Sequence, residues 1–142
     1  MVVVEYEVVD VWLGRFADKA AADTYFEETY DDPADDEEQP ISPFAADMAE
    51  TFYDHDFMEW QFHPHGVSDL RTALADHSFS SSYVSSVVSA AAPLTEPDPV
   101  NVVLLVWGRE IETPISVRTP AMSLVYVGRF ACDPNAPEAA RP

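Results

Sequence analysis

A chain of 142 residues with 47% hydrophobic and 12% aromatic side chains has the length of one domain. It can bury about two-thirds of the surface its unfolded form exposes. The formal charge of −19 disfavours contact with nucleic-acid phosphates or anionic membranes and favours a basic protein partner. The same acidity, with one lysine beside abundant Ala, Asp, Val and Pro, also fits a GC-rich genome or a salt-adapted proteome.

Val2 to Leu13 is rich in β-branched and aromatic residues and reads as a strand with a turn or bulge at Gly14. Ala22, Tyr25, Phe26, Thr29 and Tyr30 then fall on one face of an amphipathic helix, with Asp18 as N-cap and Pro33 limiting its extent. Residues 31–40 form an acidic loop: six carboxylates in the eight positions 31–38, with prolines at 33 and 40, cannot build a core. That loop is either solvated surface or an electrostatic landing site for a basic partner. Calcium is disfavoured there, because the run has no glycine and no D-x-[DN]-x-[DN]-G pattern.

Phe44 to Glu50 reads as a short helix. Phe52 to Phe62 mixes aromatics with Asp54, His55, Asp56 and Glu59 without Gly or Pro, and reads as one packed strand broken by His63-Pro64-His65-Gly66. Ser68 is the expected N-cap of a helix carrying Leu70, Ala73 and Leu74. Ser80 to Ala92 places Tyr83, Val84, Val87, Val88 and Ala91 on one helical face and is stopped by Pro93. After the proline-rich loop 93–99, Val100 to Trp107 is apolar on both faces, the pattern of a covered central strand. Ile111 to Val117, interrupted by Pro114, predicts an edge segment or a hairpin arm, and Met122 to Phe130 a last strand. Trp12-Leu13-Gly14-Arg15-Phe16 echoes Tyr126-Val127-Gly128-Arg129-Phe130, which suggests two neighbouring strands. The expected fold is α+β: a mostly antiparallel sheet with helices packed against it, one domain over residues 1–132 and a loose proline-rich tail over 133–142.

Cys132 is the lone cysteine, so neither an intramolecular disulfide nor an all-cysteine metal site can form, as in a reducing cytosol. Glu5 and Glu7 precede any apolar stretch of signal-peptide length, and the apolar run at Val102–Trp107 is too short to cross a bilayer. These features predict a soluble, cytoplasmic protein.

Asp54, His55, Asp56, Glu59, His63 and His65 carry the chemistry of a zinc or manganese site, and they underlie the alternative of a small metal-dependent hydrolase. On a strand, however, Asp54 and Asp56 face one way while His55, Glu59 and His63 face the other, and no known metal spacing occurs. Asp54 and Asp56 at i and i+2 suit a retaining carboxylate pair, but any strand offers that spacing. There is no G-x-S-x-G, no Gly-rich phosphate loop and no basic patch, and Cys132 beside Asp133 is not activated. No catalytic, cofactor-binding or metal-binding residue is expected. An acidic binding protein fits best, with a salt-adapted housekeeping domain as a further alternative.

Trp12-Leu13-Gly14-x-Phe16, the Tyr-bearing helix to Tyr30, Phe44 and Tyr53-Asp54-His55-Asp56-Phe57-x-Glu59 together resemble the immunity protein 22 family of bacterial polymorphic-toxin systems. Ser68-x-Leu70, the helix near Tyr83, Asn101-Val102-Val103-Leu104-Leu105 and Tyr126-Val127-Gly128-x-Phe130 extend the similarity from about Val8 to Ala131. The acidic insertion at 31–38, the apolar start and the tail depart from it. The resemblance implies a cytoplasmic antitoxin that binds and blocks a cognate toxin domain, often a basic nuclease, and it carries over no catalytic residue. Expected partner-binding residues are Asp54, Asp56, Glu59, Trp12 and the run Asp35, Asp36, Glu37 and Glu38, with Trp12 better suited to packing at a strand end and Asp54 and Asp56 equally suited to capping backbone amides inside the fold.

Overall fold

The computed structural model describes residues 7–30, 39–94 and 100–139. Within them the six apolar residues Val102–Trp107 form strand β3, and all six side chains are buried. A strand buried on both faces must lie inside a sheet with layers on each side. It does: the sheet order is β2-β3-β1-β5-β4, where β1 is Val8–Arg15, β2 Met58–Phe62, β4 Val117–Arg118 and β5 Ser123–Ala131. All neighbouring pairs are antiparallel. Helices α1 (Lys19–Phe26), α2 (Pro43–Asp47), α3 (Leu70–Ala75) and α4 (Val84–Ala91) pack on it, giving the expected α+β single domain.

Alternation along the central strands divides the core in two. Trp12, Val102, Leu104 and Val106 face α1 and α2, where Phe16, Phe26, Phe44 and Tyr53 complete an aromatic layer. Trp12 meets Phe44 edge-on at 5.5 Å and Tyr126 at 5.0 Å, while Phe26 lies 4.7 Å from Trp60. On the other face Val9, Val11, Leu13, Val103, Leu105 and Trp107 pack against Leu74, Tyr83, Val84 and Val87 of the α3–α4 layer.

The echoed segments are adjacent, as their likeness suggests, but they run antiparallel, so that Trp12 is paired with Tyr126. The irregularity falls between Val11 and Trp12, where Val11 pairs with Gly128 and Val127 is the extra residue, rather than at Gly14. Gly128 adopts φ +152°, which a side chain disfavours, so it is the natural residue for this bulge. Gly14 is needed for space: a Cβ there would lie 3.0 Å from the Phe16 ring and 3.3 Å from Val102.

Several elements depart from their expected bounds. Asp18 caps α1 as expected, accepting from the Ala21 N–H at 2.8 Å, but the helix ends at Phe26. Thr29 donates its N–H to the Ile41 carbonyl at 2.7 Å, so a tertiary partner replaces the helical one and leaves Thr29 and Tyr30 exposed. The cap of α3 is Asp69 rather than Ser68. Ser80–Ser82 forms a 3-10 turn ahead of α4. Ile111, expected near an edge, is fully buried.

The stretch Phe52–Phe62 is not one strand. Asp54 accepts the N–H of Asp56 at 2.9 Å, and His55–Phe57 closes a 3-10 turn before β2 begins at Met58. A short carboxylate that captures a backbone amide two residues on competes with the sheet ladder, which explains the break. In the segment from Asp133 to Ala139, whose prolines predict a loose tail, the chain makes four hydrogen bonds with Ser80, Ser81 and Ser82.

Candidate functional site

Among the described residues, three polar clusters gather charged groups that pack against the core. The first is built around Glu28, in the extended segment that follows α1. Its Oε1 accepts from the Tyr30 hydroxyl at 2.6 Å, and its Oε2 lies 3.2 Å from the Tyr53 hydroxyl and 2.8 Å from His55 Nδ1. Tyr53 is buried and also meets Ser42 Oγ, so the carboxylate is anchored to the core from behind. The hydrogen bond to Glu28 is the main cause raising the Tyr30 hydroxyl above its usual pKa. It likewise raises His55, whose protonated form the carboxylate favours. Asp54 caps the 3-10 turn beside this cluster and donates its own N–H to Glu110 at 2.6 Å, while Asp56 is exposed.

The second cluster joins β2 to the α3–α4 connection. Glu59 receives His77 Nδ1 at 3.0 Å, the Ser78 N–H at 3.2 Å and the Ser78 hydroxyl at 2.5 Å. Burial alone would raise this carboxyl, but the hydrogen bonds from His77 and Ser78 outweigh it and the pKa is lowered. His77 is 5% exposed, and its Nε2, like that of His63, has no partner among the described residues. Burial lowers the pKa of His63.

The third cluster contains the charge that the sequence reading passed over. Asp10, in the middle of β1, is fully buried. It accepts from Arg129 Nε at 3.0 Å and Nη2 at 2.9 Å and from the Tyr126 hydroxyl at 2.5 Å, and Arg129 also reaches the Ile111 carbonyl at 3.1 Å. A lone aspartate inside Val8-Val9-Asp10-Val11 is the signal that marks such a group, since it cannot be buried unpaired.

The expected partner-binding residues therefore separate. Trp12 is fully buried and donates its indole N–H to the Ile115 carbonyl at 2.9 Å, so it presents no surface and serves the packing role. Glu59 is half-buried and engaged by His77 and Ser78. Asp54 and Asp56 lie at the surface, on a turn rather than a strand face. Asp35, Asp36, Glu37 and Glu38 fall outside the described residues. The residues of the hydrolase alternative also disperse: His55 goes to Glu28, Glu59 to His77, and Asp54 to a backbone amide. Among the described residues no group of three or more His, Cys, Asp or Glu is placed to hold a metal ion.

A surface depression of about 280 Å³ is lined by polar groups including His63, Asp69 and Asp76, and an apolar one of about 440 Å³ by Phe16, Tyr25 and Met122. Among the described residues no helix is long and apolar enough to cross a membrane.

Comparison with known families decides the assignment: the sequence model described as Immunity protein 22 matches residues 9–133. The chain belongs to the Immunity protein 22 family. No curated protein and no solved structure matched it. Family membership supports an antitoxin role in general, with a toxin protein as partner. Trp12, Gly14, Phe16, Phe44 and Tyr53, which carry much of the resemblance, are all buried. They pack inside the fold of the Immunity protein 22 domain.

Proposed function

We propose that this protein is an antitoxin of a bacterial polymorphic-toxin system that neutralises a cognate nuclease by stoichiometric binding in the cytoplasm. The observation that carries the reading is the combination of family membership with a charge of −19. A nuclease must present a basic surface to bind phosphates, and an acidic protein that covers that surface blocks substrate by charge complementarity without chemistry of its own. Asp54 and Asp56 are the proposed surface contacts among the described residues, and Asp35, Asp36, Glu37 and Glu38 supply further negative charge.

The test is co-expression with the toxin domain encoded beside this gene. Cells should survive only when this chain is present, the two proteins should co-purify at a one-to-one ratio, and nucleic-acid cleavage by the toxin should stop. Association should slow sharply toward 1 M salt, where the Debye length falls to about 3 Å. Survival of cells expressing the toxin alone, or cleavage that continues with the partner bound, would overturn the reading.

A further inference from the structure

Four large hydrophobic side chains are exposed among the described residues: Tyr30 at 62%, Phe52 at 59%, Ile115 at 44% and Leu94 at 40%. The two most exposed belong to segments stitched together through Ile41. Thr29 donates to the Ile41 carbonyl at 2.7 Å, and the Ile41 N–H donates to the Thr51 carbonyl at 3.0 Å. Phe52 follows Thr51 directly, and because Tyr53 turns inward to the core, its neighbour is left in solvent.

Tyr30 is not a free rotor. Its hydroxyl is held at 2.6 Å by Glu28, whose other oxygen is fixed by the buried Tyr53 and by His55. An aromatic ring held in position while still exposed avoids much of the ordering cost that a partner's binding energy must otherwise offset. The segments that carry the two rings are acidic, with His55 as their one histidine. Residues 27–30 and 50–57 contain Glu27, Glu28, Glu50, Asp54 and Asp56 and no lysine or arginine, and the carboxylates of 31–38 continue from Tyr30 in sequence. His55, between Asp54 and Asp56 in sequence, meets the same Glu28 carboxylate that holds the Tyr30 hydroxyl, so the turn bearing both aspartates is joined to the Tyr30 segment.

We propose that the Glu28-anchored platform bearing Tyr30 and Phe52, flanked by Asp54 and Asp56, is the hot spot for the toxin, receiving an arginine or lysine from its basic face. The inference rests on the antitoxin reading and gives it a location. An aromatic face together with nearby carboxylates is the environment a cationic side chain seeks, through cation–π attraction and direct pairing. A second copy of this chain is disfavoured as occupant by its own charge of −19, and nucleic acid by its phosphates.

The experiment measures the affinity of the purified full chain for a catalytically inactivated form of the toxin domain encoded beside it. Tyr30→Ala and Phe52→Ala should each weaken binding about tenfold or more, as hot-spot truncations do. Tyr30→Phe, which keeps the ring but releases it from Glu28, should weaken it less. Asp54→Asn with Asp56→Asn should slow association and flatten its salt dependence. Leu94→Ala and Ile115→Ala, at the remaining exposed hydrophobics, should change affinity by less than about twofold. Thermal melting separates binding from folding, and the exposed Tyr30 and Phe52 variants should melt with the parent protein. If the parent chain binds and neither Tyr30→Ala nor Phe52→Ala weakens it, the platform is overturned while the antitoxin reading stands. If the parent chain does not bind, both are overturned.

Discussion

Replacing Arg129 with methionine tests the central electrostatic claim about this fold. Arg129 keeps 26% of its side chain in solvent, while the Asp10 carboxylate it clamps keeps none. If the pair behaved like a surface ion pair, its loss would cost about 0–1 kcal/mol. The buried carboxylate argues for the other regime, in which removing one partner strands a charge and costs about 3–5 kcal/mol. After the substitution Asp10 would keep the Tyr126 hydroxyl but lose both guanidinium contacts, and the Ile111 carbonyl would lose its donor. Against a domain stability of about 5–15 kcal/mol that is a large fraction. At about 2–4 °C per kcal/mol for a chain of this size, it corresponds to a melting point lower by about 10 °C. Urea unfolding of Arg129→Met, Asp10→Leu and the double variant measures it. The double variant should recover most of the loss, because neither charge is then left buried alone. A cost below about 1 kcal/mol for Arg129→Met, with the two single changes additive, would refute the buried-charge reasoning.

Glu59 supplies a test by pH. Its folded pKa is lowered from 4.5, so its contribution to stability is present above that value and lost as pH falls through the depressed folded one. Glu59→Gln should therefore flatten the fall in urea-unfolding stability below about pH 4.5, whereas curves parallel to the parent's would show that Glu59 is not a source of acid lability. At the end of α2, Ala49 is exposed and sits at φ 58°, where its N–H and that of Glu50 close the helix onto Ala46 and Ala45. Ala49→Gly should stabilise the protein by roughly 0.5–1 kcal/mol, since relief of the left-handed strain exceeds the added freedom of the unfolded chain. A loss of stability in the same melts would contradict that account.

Much of the architecture was legible because it is written in short-range patterns. An unbroken apolar run marked β3 as the covered centre, and the alternation and echo of Trp12 with Tyr126 placed β1 beside β5. Asp18 marked the start of α1, whereas its end at Phe26 falls well short of Pro33. The family was legible for the same reason, since the resemblance combines core residues such as Trp12, Phe16, Phe44 and Tyr53 with the local run Asp54-His55-Asp56 at the surface.

What the sequence by itself determined is thus the fold class, the covered strand, the family and the acidic character of the surface. Only the tertiary structure decided where the polar groups went. Thr29 left its helix because the Ile41 carbonyl was in reach, and Asp54 broke an apparent strand by capturing the amide of Asp56. Glu59 turned to His77, and Asp10 found Arg129 across 119 positions of chain. Apolar burial follows a periodicity that neighbouring residues record, because any apolar surface can cover any other. A buried charge needs one particular partner at hydrogen-bond distance, and nothing in the local sequence names a partner that only the folded sheet brings near.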